Sequence, residues 1–383
     1  MKKRIRNKTI AVGLLVACLF AGCGDNAEAE VPSSISNTDI LKNEIKKTVE
    51  IGQTVENEAA VETETNDDVV TITISAAGDV TLGNYLGQAY TNSFYQTYEK
   101  EGDAYFFKNV LDIFAADDMT IVNFEGVLTL SEEVQVKDYN MKGPPEYVQI
   151  LKEGSIEAVS FGNNHRLDYL AGGSRDTVET FEDYEIAYAY DNIIGVYEVK
   201  GIKIGFVSVN EVSQHKAVEK YLQEGIEKLK TEEEADLIIA CCHWGIEREH
   251  YPEDYQEELG RKCIDWGADL VLGSHPHVLQ GVDVYEGKFI VYSLGNFCFG
   301  ANRNPADKDT MIFSQTFTFI DGQKQEDMTA QVIPCSVSSL VNRNDFCPTP
   351  AGDEEYIRIL NRINEYSNLF GVKFDEDGFY DYE

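Results

Sequence analysis

Positive charge is what this chain has least of. Only 32 Lys and Arg stand against 67 Asp and Glu in 383 residues, a formal net charge of −35 and a pI near 4.4. That balance argues against nucleic acid as a partner and against polyanion binding through a broad basic face. An anionic substrate would need a local positive feature, and a metal ion is one such feature. No two cysteines stand in a C-x-x-C spacing, so nothing suggests a zinc–sulfur site. Residues 24–68 contain no aromatic residue, and no internal repeat runs along the chain. What is present is enough for a sizeable core: 43% of residues are hydrophobic, in a length that suits one large domain or two smaller ones.

The first 23 residues read as an export signal. Lys2, Lys3, Arg4, Arg6 and Lys8 precede an apolar run, Ile10 to Phe20, that is too short to span a membrane comfortably. The run closes in Leu19-Phe20-Ala21-Gly22-Cys23, which resembles a bacterial lipoprotein signal with Cys23 as the lipidated N-terminus. A plain secretory signal or an uncleaved anchor are the alternatives. Residues 24–68 carry twelve acids against three lysines and read as a disordered tether, since they cannot bury enough apolar surface to offset ordering entropy. The expected division is a signal over 1–23, the tether over 24–68, a folded domain over 69–345 and an acidic extension, helical and rich in Tyr and Phe, over 346–383.

Within the domain, apolar runs predict strands at Val70–Ser75, Met119–Phe124, Ala158–Phe161, Ile202–Val209, Asp236–Cys242, Asp269–Leu272, Met311–Phe319 and around Val332. Val282–Tyr285 and Lys288–Tyr292 around Glu286-Gly287 predict a hairpin. Helical spacing predicts helices over Ala104–Ala115, Pro144–Leu151, Gln214–Lys230 and Asp254–Trp266. Strands alternating with helices predict an α/β domain with a mixed sheet. Cys241, Cys242, Cys263 and Cys298 fit as small core residues. Cys335 and Cys347 flank a loop and could pair in an oxidising exterior.

The chemistry concentrates at strand ends. Four of the six histidines, His165, His243, His275 and His277, follow apolar strands directly, as do Asp79 and Glu125. The C-terminal ends of strands in an α/β sheet are where sites assemble, so these side chains converge if the strands are neighbours. A lone histidine after a strand is usually structural, but six such placements in one chain are a stronger signal. Carboxylate, amide and imidazole make a donor set for Mn, Fe or Zn, and two ions bridged by a carboxylate activate water for phosphoryl chemistry.

These residues sit in motifs that resemble the CapA family, the poly-γ-glutamate capsule biosynthesis proteins of the calcineurin-like metallophosphatase superfamily. The motifs are A-G-D at Ala77–Asp79, N-F-E-G at Asn123–Gly126 and G-N-N-H at Gly162–His165 with Asp168 following. Next come H-W-G-x-E at His243–Glu247 and P-x-x-x-Q at Pro252–Gln256. G-A-D-L-V-L-G-S-H-P-H-V-L-Q at Gly267–Gln280 and Y-S-L-G-N-F at Tyr292–Phe297 complete the set. The resemblance implies a four-layer α/β/β/α sandwich with one or two divalent ions at its strand ends. It implies Asp79, Glu125, Asn164, His243, His275 and His277 as metal ligands, Glu125 bridging, and His165 as a general acid toward a leaving oxygen. It further implies a membrane-anchored, extracytoplasmic role in making, exporting or tethering poly-γ-glutamate or a similar anionic envelope polymer, alongside capsule-synthesis membrane proteins. The metal site would serve hydrolysis of a phosphoester or amide bond; the alternative is a non-catalytic scaffold that keeps the fold.

One departure stands out. Metallophosphatases usually begin D-x-H, whereas Asp79-Val80-Thr81 has no histidine. That leaves either a labile second ion or a single ion held by Glu125, Asn164, His243 and His275. Arg166 could meet an anionic substrate or be an ordinary surface residue. Glu247 could orient His243, bind substrate or cap the next segment. Trp244 suits the core or rim better than a ligand stack, and Asn296 suits a structural turn. His215 and His250 lie in charged segments and read as solvated.

Overall fold

The structure, a computed structural model, describes residues 68–381; the signal reading and nearly all of the tether reading lie outside them. Two sheets carry the chain. In the first, β1 (Val69–Thr81) lies centrally, with β2 (Met119–Phe124), β3 (Ala158–Ser160) and β4 (Ala187–Ala189) following in parallel. The second sheet places β5 (Gly195–Val199), β6 (Ile202–Asn210), β7 (Leu237–His243) and β8 (Leu270–Ser274) side by side, with the hairpin β9 (Val282–Tyr285) and β10 (Lys288–Val291) at its far edge. β6, β7, β8 and β10 are parallel to one another. β11 (Asn296–Phe299) returns to the first sheet beside the end of β1, pairing Asp79 with Asn296. β12 (Asp309–Ile320) and β13 (Ala330–Ser336) then extend that sheet antiparallel from the other side of β1.

Alternation along the strands builds the layers. In β7, Leu237, Ile239 and Cys241 face the first sheet, where they meet Ile74, Met119 and Ile121. Ile238, Ala240 and Cys242 face outward onto Leu222, Ile226 and Leu229 of α4 (Val218–Thr231) and Leu259 and Cys263 of α5 (Asp254–Trp266). In β2, Val122 and Phe124 take the outer face of the first sheet, under Val148 and Leu151 of α2 (Val148–Glu153) and Phe181 of α3 (Leu170–Asp183). A strand covered on both faces is apolar throughout, which is why these runs stand out in the sequence. The result is the expected α/β/β/α sandwich. Among the described residues, no helix is long and apolar enough to cross a membrane.

The ends of α5 match the sequence reading because both caps are encoded locally. Glu253 and Gln256 form a reciprocal capping box, and Gly267 closes the helix at φ 119°. The helix expected over Ala104–Ala115 is broken instead into a 3₁₀ turn, Asp103–Tyr105, and a single α-turn, Leu111–Phe114. Adjacent Phe106 and Phe107 are both buried, one stacked on Phe94 and the other against Phe297. Tertiary packing of two neighbouring rings overrides the helical period there. Cys335 and Cys347 are free, buried thiols rather than a disulfide. Each donates to a backbone carbonyl, that of Ile333 and of Tyr105 respectively.

The C-terminal stretch packs into the same body. Ile359, Leu360, Ile363 and Tyr366 of α6 (Asp353–Ser367) join the cluster between the sheets. Arg358 holds Asp309 at the start of β12 through two bonds of 2.6 Å, and Arg362 reaches Asp307 at 2.7 Å. Burial would push Asp309 up, but the hydrogen bonds from Arg358 and Arg362 outweigh it and hold the carboxyl below its usual value. A depressed carboxyl stabilises the fold above its unfolded pKa and loses that contribution as pH falls through the folded value. Wild type is therefore expected to lose thermal stability more steeply than Asp309→Asn below about pH 4, as followed by circular dichroism. Identical acid slopes would show that the network contributes nothing.

Candidate metal centre

The parallel strands bring their C-terminal ends to one edge, where the two sheets meet. Ser160 Oγ of β3 lies 2.8 Å from Ser208 Oγ of β6, and Ser208 also accepts the Gly162 N–H at 2.8 Å. These bonds tie the sheets together beneath the site. Above them, one ligand atom each from Asp79, Glu125 and His243 lie within 4.8 Å of one another, and all three residues are fully buried. They come from the ends of β1, β2 and β7.

Asp79, His243 and His277 are held by their neighbours. Asn123 donates to Asp79 Oδ1 at 2.8 Å. His243 has Nδ1 3.0 Å from Ser274 Oγ and Nε2 3.0 Å from Asn164 Oδ1. Asn163 spans the turn, donating to the Phe124 carbonyl at 2.7 Å and accepting from the His165 N–H at 3.1 Å. His277 Nδ1 lies 2.9 Å from Asp79 Oδ2 and 3.0 Å from Asn296 Oδ1, while Asn296 also donates to the His277 carbonyl at 3.1 Å. His275 packs edge-on to His243, with ring centroids 4.8 Å apart. His275 and His277 have φ of 97° and 59°, a conformation rare for non-glycine residues and characteristic of functional turns.

The donor set fits a divalent cation. Both carboxylate oxygens of Glu125 are buried without a hydrogen-bond donor, and so is Nδ1 of His275. The nearest imidazole nitrogens to Glu125 Oε1 are His165 Nε2 at 3.5 Å and His277 Nε2 at 3.7 Å, both beyond hydrogen-bond reach. A buried carboxylate with no donor costs several kcal/mol, roughly, unless a cation compensates it. Charge states follow the same logic. Burial, with Asp79 nearby, pushes Glu125 well above the carboxylate range. Burial alone would lower His277, but the neighbouring carboxylates, Asp79 at 2.9 Å from its Nδ1 among them, raise it. Burial, reinforced by His277, draws His275 down to about 4, and His243 also lies well below its usual value. Neutral His243 and His275 are the form in which imidazole ligates a metal.

His165 sits beside this cluster. Its Nδ1 lies 2.8 Å from Asp168 Oδ2, which leaves Nε2 on the side of Glu125. Asp168 is fully buried; it also accepts the Met141 N–H at 2.6 Å and pairs with Lys137 at 2.6 Å. Lys137 bonds the Asn164 carbonyl at 3.1 Å. It comes from the irregular 129–140 segment, where no periodicity or motif could have marked it.

The other expected residues are placed elsewhere or at the rim. Arg166 pairs with Asp191 at 2.6 Å and lies over the Tyr190 ring. Glu247 is exposed and lines the cleft that also contains His165 and His277. Trp244 is fully buried and donates to the Tyr292 carbonyl at 2.9 Å, a core role. Thr81, where D-x-H would place a histidine, donates to the Glu125 carbonyl at 2.7 Å. His215 is exposed, but His250 is not simply solvated: it stacks on Tyr366 and lies 3.2 Å from Arg362.

Comparison with known proteins bears on the family of the chain. Residues 73–301 match the model of the bacterial capsule synthesis protein family PGA_cap. The PGA biosynthesis protein CapA of Bacillus subtilis is 30% identical over 254 residues, 61% of this chain and 64% of that protein. The capsule biosynthesis protein CapA of Bacillus anthracis is 29% identical over 253 residues, 60% of each. The match thus spans less than two thirds of either relative. Among solved structures, TT1561 of Thermus thermophilus has 10% identity and a TM-score of 0.38, covering 64% of this chain and 98% of its own. A 5'-nucleotidase from Candida albicans has 13% identity and a TM-score of 0.37, covering 79% and 59%. Neither likeness is high enough to speak to chemistry. With a family match over more than half of its length, and every motif of that resemblance inside the matched span, the chain belongs to the PGA_cap family of bacterial capsule synthesis proteins.

Proposed function

We propose that this protein acts outside the cytoplasm, anchored through a lipidated Cys23, in making, exporting or tethering poly-γ-glutamate or a similar anionic envelope polymer. In this reading it works with capsule-synthesis membrane proteins and uses its metal centre to hydrolyse a phosphoester or amide bond. The observation that carries the catalytic part is Glu125: a buried carboxylate with no donor, meeting Asp79 and His243 at three strand ends. Asp79, Glu125 and His243 would hold the first divalent ion, with Asn164, His275 and His277 beside them. Such an ion supplies Lewis acidity and lowers the pKa of water.

The chain's own residues do the rest. Asp168 fixes the His165 ring so that Nε2 faces the reacting side, and it stabilises the imidazolium once that nitrogen takes a proton. Burial draws His165 below its usual value against the pull of Asp168, which favours a neutral ring whose Nε2 can accept a proton from an attacking water and return it to a leaving oxygen. The closed surroundings exclude bulk water from Glu125 and Asp79 and strengthen each charge interaction.

Metal analysis of the purified protein tests the centre: a stoichiometric divalent ion, with a melting temperature that falls on chelation, is expected. No bound ion and no metal-dependent melting would sink it. His165→Ala separates catalysis from the scaffold reading, which Thr81 favours by spending its hydroxyl on a backbone carbonyl where a ligand would stand. If His165 is catalytic, the variant keeps its metal and its melting temperature but loses hydrolysis by about a hundredfold or more. Unchanged polymer handling in that variant would favour the scaffold.

A further inference from the structure

Next to the metal centre lies a cleft of about 950 Å³, lined on its inner side by His165 and His277. That is at the upper end for a small-molecule site and suits an extended ligand. Three arginines, Arg248, Arg303 and Arg343, line the same cleft. In a chain this acidic, arginines are normally drawn into ion pairs. Of the eight in the described residues, Arg166, Arg261, Arg358 and Arg362 do pair with carboxylates. Arg248, Arg303 and Arg343 are in no ion pair, and the only other unpaired one, Arg175, is exposed on α3.

Their remaining contacts hold them in place without using up their donors. Arg303 gives one N–H to the Thr91 carbonyl and Arg343 gives one to Asn92 Oδ1, both at 2.9 Å, out of five donors each. Arg248 makes no side-chain bond. Its backbone N–H donates to the Pro276 carbonyl at 2.8 Å, between the two histidines of the H-P-H turn, and its φ is 68°. That bond ties Arg248 to the turn carrying His275 and His277, where it lines the cleft. The carboxylates lining the cleft are Glu247, which is exposed, and Asp307, which Arg362 already holds. Unpaired positive charge therefore exceeds unpaired negative charge along the lining of this cleft.

We infer that Arg248, Arg303 and Arg343 form the specificity site, reading two or more anionic groups spaced along an extended substrate whose scissile bond lies at the metal centre. This deepens the proposed function and rests on it. Carboxylate and phosphate are both matched by the planar guanidinium fork. Local concentration of cationic side chains is how an acidic protein can admit a polyanion that its general surface repels.

The test is binding, measured apart from turnover. Fluorescein-labelled oligo-γ-glutamate, polyphosphate and neutral dextran are titrated into the full chain in chelator, then into Arg248→Gln, Arg303→Gln, Arg343→Gln and the triple variant. A polyanion is expected to bind, dextran not. Each single change should weaken binding about three- to tenfold and the triple about a hundredfold, with affinity falling as salt rises. Preference for oligo-γ-glutamate or for polyphosphate identifies the group read, and either supports the site. Arg248→Gln removes no side-chain hydrogen bond or ion pair, and an unchanged melting temperature in that variant separates lost binding from misfolding. Equal binding by wild type and triple variant, binding of dextran as tightly, or binding of neither polyanion would overturn the inference. If the hydrolytic reading alone is wrong, turnover is absent while this binding pattern persists.

Discussion

Glu125→Gln is expected to make the metal-free protein more stable and the metal-loaded protein less so. Glu125 is fully buried, and neither of its oxygens receives a hydrogen bond. In the metal-free protein its raised pKa means the folded state binds a proton that the unfolded state releases above about pH 4.3. That contribution to stability is full at low pH and fades as pH rises toward the folded value. An amide of the same shape has no such dependence. In chelator at pH 8, the variant should therefore melt about 2–6 °C above wild type, and the gap should narrow toward pH 5. With Mn²⁺ or Zn²⁺ the order reverses, because a neutral amide is a much weaker ligand than a carboxylate, and affinity should drop at least about a hundredfold. A variant that binds metal as wild type does, or that is less stable than wild type in chelator, would remove Glu125 from the coordination set.

Gly273→Ala should be the most damaging small change in the chain's H-P-H region. Gly273 lies at the end of β8, two residues before His275, where Trp244 donates to the Tyr292 carbonyl. A Cβ at this position would sit 1.9 Å from that carbonyl oxygen and 2.6 Å from the indole nitrogen. Backbone and a fully buried Trp occupy the space, so neither can yield cheaply. Overpacking together with the lost hydrogen bond should cost about 2–4 kcal/mol, a drop of about 4–15 °C in melting temperature. The shift propagates into Ser274, which holds His243, and into the strained turn carrying both histidines. Metal affinity should fall with it. Gly287→Ala, in the β9–β10 turn at φ 70° with nothing within 4 Å, is the control: about 1 kcal/mol and unchanged metal binding. Equal effects at the two positions would mean that the close approach at Gly273 is not what matters.

Strand positions were legible because both sheets are covered on both faces, which writes each strand as a continuous apolar run. Asp79, Glu125 and His243 were legible as a candidate cluster because they close or directly follow those runs. Lys137 and the full set of partners around Asp168 were not, since they come from a segment without periodicity. Arg166 looked available for an anion but is taken by Asp191 and Tyr190. Arg248, Arg303 and Arg343 had no mark in the sequence at all: 95 residues separate the first from the last, and nothing local distinguishes an arginine that will be paired from one that will not.

By itself the sequence determined the alternation of strands and helices, the capped ends of α5 and the placement of Asp79, Glu125, His165, His243, His275 and His277 after apolar strands, because each is encoded within a few neighbouring positions. Only the tertiary structure decided which arginines stay free, that Cys335 and Cys347 remain thiols and that the C-terminal helix joins the core. The same holds for Glu125, left without a donor beside Asp79 and His243. Each of these depends on which side chains meet across the two sheets, and that is settled by packing between segments far apart in the chain.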